Sequence, residues 1–251
     1  MKIGLFGDSF GTGIQIHNSV VEPSAMQHHW STLLKDDMNA ELINYCVTGS
    51  SVYFSYENFV KHNHRYDLVI FLTTDPDRYL TPIQLSSGRT VHITSLPHVD
   101  YIKGNNDVSK FDKEVLTDIE GWFKASTVEH NIDITTLMLN SVLNIRPDAI
   151  IIPCFHHSFG EQFAKKIKLH SNQCLSEFQK IQMDILNYQI EDLGTKIEEN
   201  PDIISGHLIP EMHQIVFEIV KKRIKDGEWS WDIPKSITLG NQSKDYYISI
   251  K

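Results

Sequence analysis

Cysteine is scarce in this sequence: Cys46, Cys154 and Cys174 are the only three in 251 residues. An odd number, two of them inside apolar runs where a thiol behaves as a small hydrophobe, argues against a disulfide framework. Long apolar runs are also missing. The stretch after Met1-Lys2 reaches only from Ile3 to Phe6 before Gly7-Asp8, too short for the core of a secretory leader, and no other run has the length to cross a bilayer. The expectation is a soluble, cytoplasmic protein without a membrane partner; export within a virus particle stays open. Basic residues are in deficit, 23 against 32 acidic ones for a net charge of −9. No chain-wide field draws such a protein to a phosphate backbone, and no nucleic-acid partner is expected. Internal repeats and low-complexity segments are absent as well.

The apolar residues, 41% of the chain, suffice for one sizeable core. A single domain over residues 1–251 is expected, with a loop-rich insertion at about 79–110 and a C-terminal extension at about 226–251. Short apolar runs rich in β-branched residues alternate with longer amphipathic stretches, the pattern of an α/β fold whose parallel sheet is covered by helices on both faces. The runs Lys2 to Phe6, Glu41 to Val47, Asp67 to Thr73 and Asp148 to Cys154, with a weaker one at Asp202 to Ile204, predict a five-stranded sheet. Between them, Ala25 to Met38 puts Trp30, Leu33, Leu34 and Met38 on one helical face, and Val52 to His62 reads as a short helix. Asp112 to Asn144 reads as a long helix or a helix pair, closed by Arg146-Pro147-Asp148. Phe163 to Glu199 is helical again, and Pro210 to Lys225 forms a last amphipathic helix with proline in its first turn. From Tyr79 to Lys110, Pro82, Gly88, Pro97 and Gly104-Asn105-Asn106-Asp107 predict loops and a hairpin, placed as a lid or substrate wall would be. The tail from Trp229 to Lys251 fits an edge strand, a subunit contact or a cover over the core.

Chemistry concentrates at the carboxyl ends of the predicted strands, where open α/β sheets bind ligands. Gly7-Asp8-Ser9-Phe10 follows the first strand, so Ser9 points from the sheet edge toward a crevice and the turn can offer N–H groups to a developing oxyanion. Turn chemistry alone also favours Gly-Asp-Ser there. Asn44-Tyr45-Cys46-Val47-Thr48-Gly49-Ser50-Ser51 ends the second strand; Gly49 permits a tight turn, and Ser50 or Ser51 can cap the next helix. Thr73-Thr74-Asp75-Pro76-Asp77-Arg78 ends the third. There Thr74 can donate one hydrogen bond and Arg78 several, or Thr74 caps the turn while Arg78 pairs with Asp75 or Asp77 at the surface. Near the far end, Ser205-Gly206-His207-Leu208-Ile209-Pro210-Glu211-Met212-His213 places one histidine in a loop and one in a helix.

Taken in chain order, Gly7-Asp8-Ser9, the segment Asn44 to Ser51, and the segment Ser205 to His213 resemble the first, second and last blocks of the SGNH/GDSL hydrolase family. The resemblance implies a flavodoxin-like three-layer α/β/α fold without a cofactor. It implies Ser9 as nucleophile, Gly49 as an oxyanion donor, His207 as general base and His213 as a structural histidine. Two departures stand out. The family's third block, Gly-x-Asn-Asp, has no asparagine counterpart at Thr73 to Arg78. The usual aspartate just before the base is replaced by Ile204-Ser205-Gly206, so Asp202 is the nearest carboxylate preceding it, and a Ser-His pair is the alternative to a triad.

Thirteen histidines raise a metal site, with His28-His29, His62-x-His64 and His156-His157 as tempting pairs. None has a ligand spacing that specifies a metal, and no metal site is expected. His156 is instead expected to line the pocket. Gly7 to Ile16 is not a dinucleotide loop, because Ser9 and Phe10 occupy places that need bare backbone and Ile16 stands where a third glycine belongs. The expected function is therefore serine ester hydrolysis, removing an O-acyl group such as O-acetyl from a carbohydrate or small ester. The substrate binding set is Asp8, Gly49, Thr74, Arg78 and His156; the oligomeric state stays open. The rivals are a binding or structural protein that keeps the fold, an acyltransferase using the same pair, and a metal-dependent phosphoesterase.

Overall fold

The computed structural model describes residues 1–12, 16–17, 20–21, 29–153 and 210–227. The chain divides into two compact units, one of Met1–Thr12 with Leu42–Ser176, the other of Gly13–Glu41 with Glu177–Lys251.

The first unit is built on β1, Lys2–Phe6, whose Ile3 to Phe6 are all buried. A strand covered on both faces reads as a continuous apolar run rather than an alternating one. Gly4 has a separate task. A Cβ there would stand 2.4 Å from the ring of Tyr66, so that ring's close approach needs bare backbone at this position. β5, Leu68–Thr73, pairs parallel to β1 in the register Ile3↔Leu68 to Phe6↔Phe71, and β8, Ile150–Pro153, pairs parallel to β5. β4, Glu41–Asn44, completes a parallel sheet in the order β4-β1-β5-β8. It is the less apolar edge strand, with both ends exposed. The strand expected at Asp202 to Ile204 lies outside the described residues.

The sheet is flanked by helices. α3, Val52–His62, starts at an N-cap Ser51, one of the two serines expected to cap it, whose hydroxyl accepts from the Phe54 N–H at 3.2 Å. It packs on α6, Val128–Ile145, and the two enclose a core with Phe6, Phe59, Tyr66, Phe71, Ile132 and Val142. Each large buried side chain there contributes roughly 1.5–3 kcal/mol. The stretch from Asp112 resolves as a helix pair: α5, Lys110–Ala125, stops at Ser126, and Thr127 caps α6. Arg146 then donates to Asp148 and to the carbonyls of Asn63, Tyr66 and Asp67, fastening the chain before β8.

Residues 79 to 110 contain more than loops and a hairpin. The hairpin is present, as β6, Ile83–Gln84, and β7, Thr90–Val91. A helix follows, α4, Leu96–Gly104. Pro97 suggests a breaker, yet it falls in the first turn, where proline is tolerated, and Ser95 accepts from the His98 N–H to cap it. Leu85, Val91, Ile93, Val99 and Ile102 bury against Leu116 and Ile119 of α5, giving the insertion its own core. Asp112 ties its ends together by accepting from Ser86 and Ser109.

In the second unit, Ile16–His17 (β2) and Val20–Val21 (β3) form a short antiparallel ladder. α2, Trp30–Asp37, packs on α7, Pro210–Asp226. Of the stretch Ala25 to Met38, residues 25–28 lie outside the described residues, and His29 caps the helix that starts at Trp30 by accepting from the Ser31 N–H at 3.3 Å. Asp37 accepts from Lys221 at 2.5 Å, and the ring of His213, inside the helix as expected, lies 4.5 Å from that of His29.

Candidate active site at the carboxyl ends of the central strands

Because β4 and β5 lie on opposite sides of β1, the chain reverses its winding direction there, and the crevice between the carboxyl ends of β1 and β5 is the switch point at which such sheets bind ligands. Three loops converge on it.

The first loop is Gly7-Asp8-Ser9. It lies tight on β5: a Cβ on Gly7 would stand 2.5 Å from Leu72 Cβ. Asp8 turns the chain, its Oδ1 accepting from the Phe10 N–H at 3.2 Å and its carbonyl from the Gly11 N–H at 3.0 Å. Ser9 opens the helical turn α1, Ser9–Thr12, so its N–H has no acceptor within the helix. Ser9 is 6% exposed, and its hydroxyl bonds to no described residue. Gly11 is packed tightly as well, for a Cβ there would meet Cys46 Sγ at 2.2 Å.

The second loop continues β4 alongside β1. Val47 N–H and the Ser50 hydroxyl both donate to the Gly7 carbonyl, at 3.2 and 3.1 Å. Asn44 Nδ2 donates to the Gly11 carbonyl at 2.5 Å. Gly49 has φ +75°, the left-handed region that favours glycine, and its N–H donates to no described acceptor.

The third loop departs from the reading in which Thr74 caps the turn and Arg78 pairs at the surface. The turn is closed by Asp75, whose Oδ1 accepts from the Asp77 N–H at 2.9 Å, and not by Thr74. Asp77 accepts from Asn131 at 3.0 Å. Arg78 does not lie at the surface. It is buried, and its Nη1 donates to Asp8 Oδ2 and to the Ser50 carbonyl, each at 3.0 Å. One guanidinium thus joins all three loops. Thr74 is 1% exposed, and its hydroxyl has no hydrogen-bond partner among the described residues. It lies close enough to the Asp8 carboxyl to favour its charged form.

Burial raises the Asp8 carboxyl above its ordinary range, and the Arg78 charge offsets this in part. Burial, with the Asp8 charge added, pushes the Cys46 thiol well up, so it stays protonated at neutral pH. His92, in the insertion, is held below the usual histidine range by burial and then by Arg78.

Asp8, Ser9, Gly49, Thr74 and Arg78 accordingly sit on neighbouring loops, with Asp8 and Arg78 in direct contact. His207, Asp202 and His156 lie outside the described residues. No local pattern marks Ser50 as the carbonyl that Arg78 holds, nor His92, since both depend on contacts between distant segments. No group of metal-ligating side chains occurs among the described residues, and no helix of the described residues is long and apolar enough to cross a membrane.

No protein-family model matches the chain, and neither does any curated protein. Solved structures similar to it include the acetyl xylan esterase AlAXEase, at 12% identity over 89% of this chain and 100% of that one, with a TM-score of 0.46. The lipase/acylhydrolase from Enterococcus faecalis is similar at 13% identity over 90% and 96%, with a TM-score of 0.45. A member of the lipolytic protein G-D-S-L family from Veillonella parvula is similar at 10% identity over 76% and 73%, with a TM-score of 0.31. At these identities the likeness assigns no residue a role, and the site rests on the geometry of this chain.

Proposed function

We propose that the chain is a serine ester hydrolase that removes an O-acyl group from a carbohydrate or small ester, with Ser9 as nucleophile. The observation that supports this is the Ser9 hydroxyl at the switch point, unbonded among the described residues, with the Gly49 N–H on the neighbouring loop also lacking a described acceptor. His207 enters from the sequence as the base, with Asp202 or a backbone carbonyl orienting it and His156 lining the pocket. His207 takes the Ser9 proton as Oγ attacks the acyl carbon, and the carbonyl electrons move onto oxygen. Collapse expels the alcohol, which receives that proton. Water then attacks the acyl-serine by the same route and restores the enzyme.

The oxyanion falls to the N–H groups of Ser9 and Gly49 and to the Thr74 hydroxyl. An unpaired buried hydroxyl is costly in the resting chain, and charge developing in the transition state would give it a partner. Thr74→Val is therefore expected to lower kcat about a hundredfold, with KM nearly unchanged. Thermal stability should hold, because the lost hydroxyl had no described partner. Near-wild-type kcat would leave the oxyanion to the two backbone groups.

Intact-mass analysis after exposure to a fluorophosphonate tests the nucleophile without requiring the natural substrate. One adduct, mapped to Ser9, is expected, and none on Cys46, whose thiol is kept protonated. An unmodified protein would favour a binding role over turnover.

A further inference from the structure

Within the insertion, β7 and the residues after it pass over the second loop of the site. Were Gly49 to carry a Cβ, it would lie 3.4 Å from Thr94 Cγ2 and 3.6 Å from His92 Cβ. This stretch is pinned on both sides of His92. Val91 and Ile93 are buried in the insertion's core, and the Ile93 carbonyl accepts from the Tyr79 N–H at 3.0 Å. In an extended segment successive side chains alternate in direction, so with Val91 and Ile93 turned into that core His92 turns the other way, toward Gly49. Its ring meets Phe54 edge-on, with centroids 5.1 Å apart. Thr94, by contrast, is engaged with His98, whose Nδ1 lies 3.1 Å from its hydroxyl.

The imidazole of His92 bonds to no described residue, is half-buried, and is held neutral at ordinary pH by burial and by the nearby Arg78 charge. A neutral imidazole offers one donor and one acceptor nitrogen. An ester whose carbonyl oxygen sat on the Gly49 N–H would bring its neighbouring atoms within reach of those nitrogens. A hydroxyl group is the natural complement, since it both donates and accepts, while the Phe54 ring provides an apolar border.

We infer that His92 is a substrate-contact residue of the Ser9 site, reading a hydroxyl carried by the ester next to its reacting carbonyl. This rests on the Ser9 reading. The test compares isosteric pairs: 2-hydroxyethyl acetate against propyl acetate for the alcohol side, and ethyl glycolate against ethyl propionate for the acyl side. Wild type should prefer the hydroxylated member of at least one pair. His92→Leu should reduce that preference about tenfold, chiefly through KM, and His92→Asn, which keeps a donor and an acceptor, should restore part of it. A His92→Leu variant that lowers both members of each pair by the same factor would overturn the inference and leave His92 a packing residue. If wild type hydrolyses none of the four esters and takes up no fluorophosphonate, the Ser9 reading itself falls. Should it take up the reagent and turn over all four without preference, only the role of His92 falls.

Discussion

Ser9→Ala is expected to abolish hydrolysis of small aryl acetates while leaving the thermal transition almost unmoved. The two halves of that result have separate causes. What holds the first loop is backbone and Asp8: the Ser9 carbonyl accepts from the Thr12 hydroxyl at 3.0 Å, and Asp8 accepts from Phe10, Gly11 and Arg78, all of which survive removal of Oγ. The hydroxyl itself bonds to no described residue, so its loss should change stability by less than about 0.5 kcal/mol. Catalysis has no such reserve. The nearest alternative nucleophile on these loops is Cys46, and burial keeps its thiol protonated. Loss of a serine nucleophile that acts with its base as a unit costs on the order of 10⁴-fold or more. Melting curves for both proteins and initial rates with an aryl acetate check both halves together. Equal rates would remove Ser9 from the mechanism. A large fall in melting temperature would mean that the serine is structural.

The parts of this molecule that could be read from sequence are those fixed by neighbouring residues. β1 coincides with its apolar run at Lys2–Phe6, and α3 with the expected Val52–His62, because a serine cap and a continuous apolar face are local signals. The parts that could not be read are set by distant partners. Pro97 marks a break only until the cap at Ser95 places it in a first turn. For Arg78 the carboxylates nearest in sequence are Asp75 and Asp77, and nothing local reveals that the guanidinium instead reaches Asp8, 70 residues away. The same holds for His92, whose approach to Gly49 depends on how the insertion folds over the second loop. Ser9 and Gly49 were legible as candidates because each stands where a strand ends, and strand ends are what hydrophobic runs report best.

Arg78→Met is expected to cost about 3–5 kcal/mol of stability, the usual penalty for breaking a buried ion pair from one side. Asp8 is completely buried, and the Ser50 carbonyl relies on the same Nη1, so methionine would strand a carboxylate and a carbonyl together. The pH dependence separates this from a simple packing defect. Burial already raises the Asp8 carboxyl above 3.8, its value in an unfolded chain, and Arg78 is the largest influence opposing that rise. Without Arg78 the folded value climbs further. A carboxyl with a raised folded value favours the folded state below its unfolded value, where it is protonated in both states, and loses that favour as pH rises through the folded value. The deficit of Arg78→Met should accordingly be small near pH 4 and widen toward neutrality. Urea unfolding across that range measures it, and Asp8→Asn in the same background should recover part of the loss at neutral pH by removing the stranded charge. Activity should fall by at least about tenfold even under conditions where the variant is folded, because the guanidinium fixes the first and second loops, and with them Ser9 and Gly49, in one geometry. If Arg78→Met does not fold, Arg78→Lys keeps the charge without the two-way grip and should show the activity loss with a smaller stability cost. A deficit that does not change with pH, together with wild-type turnover, would mean that the ion pair neither holds the loops nor bears on the site.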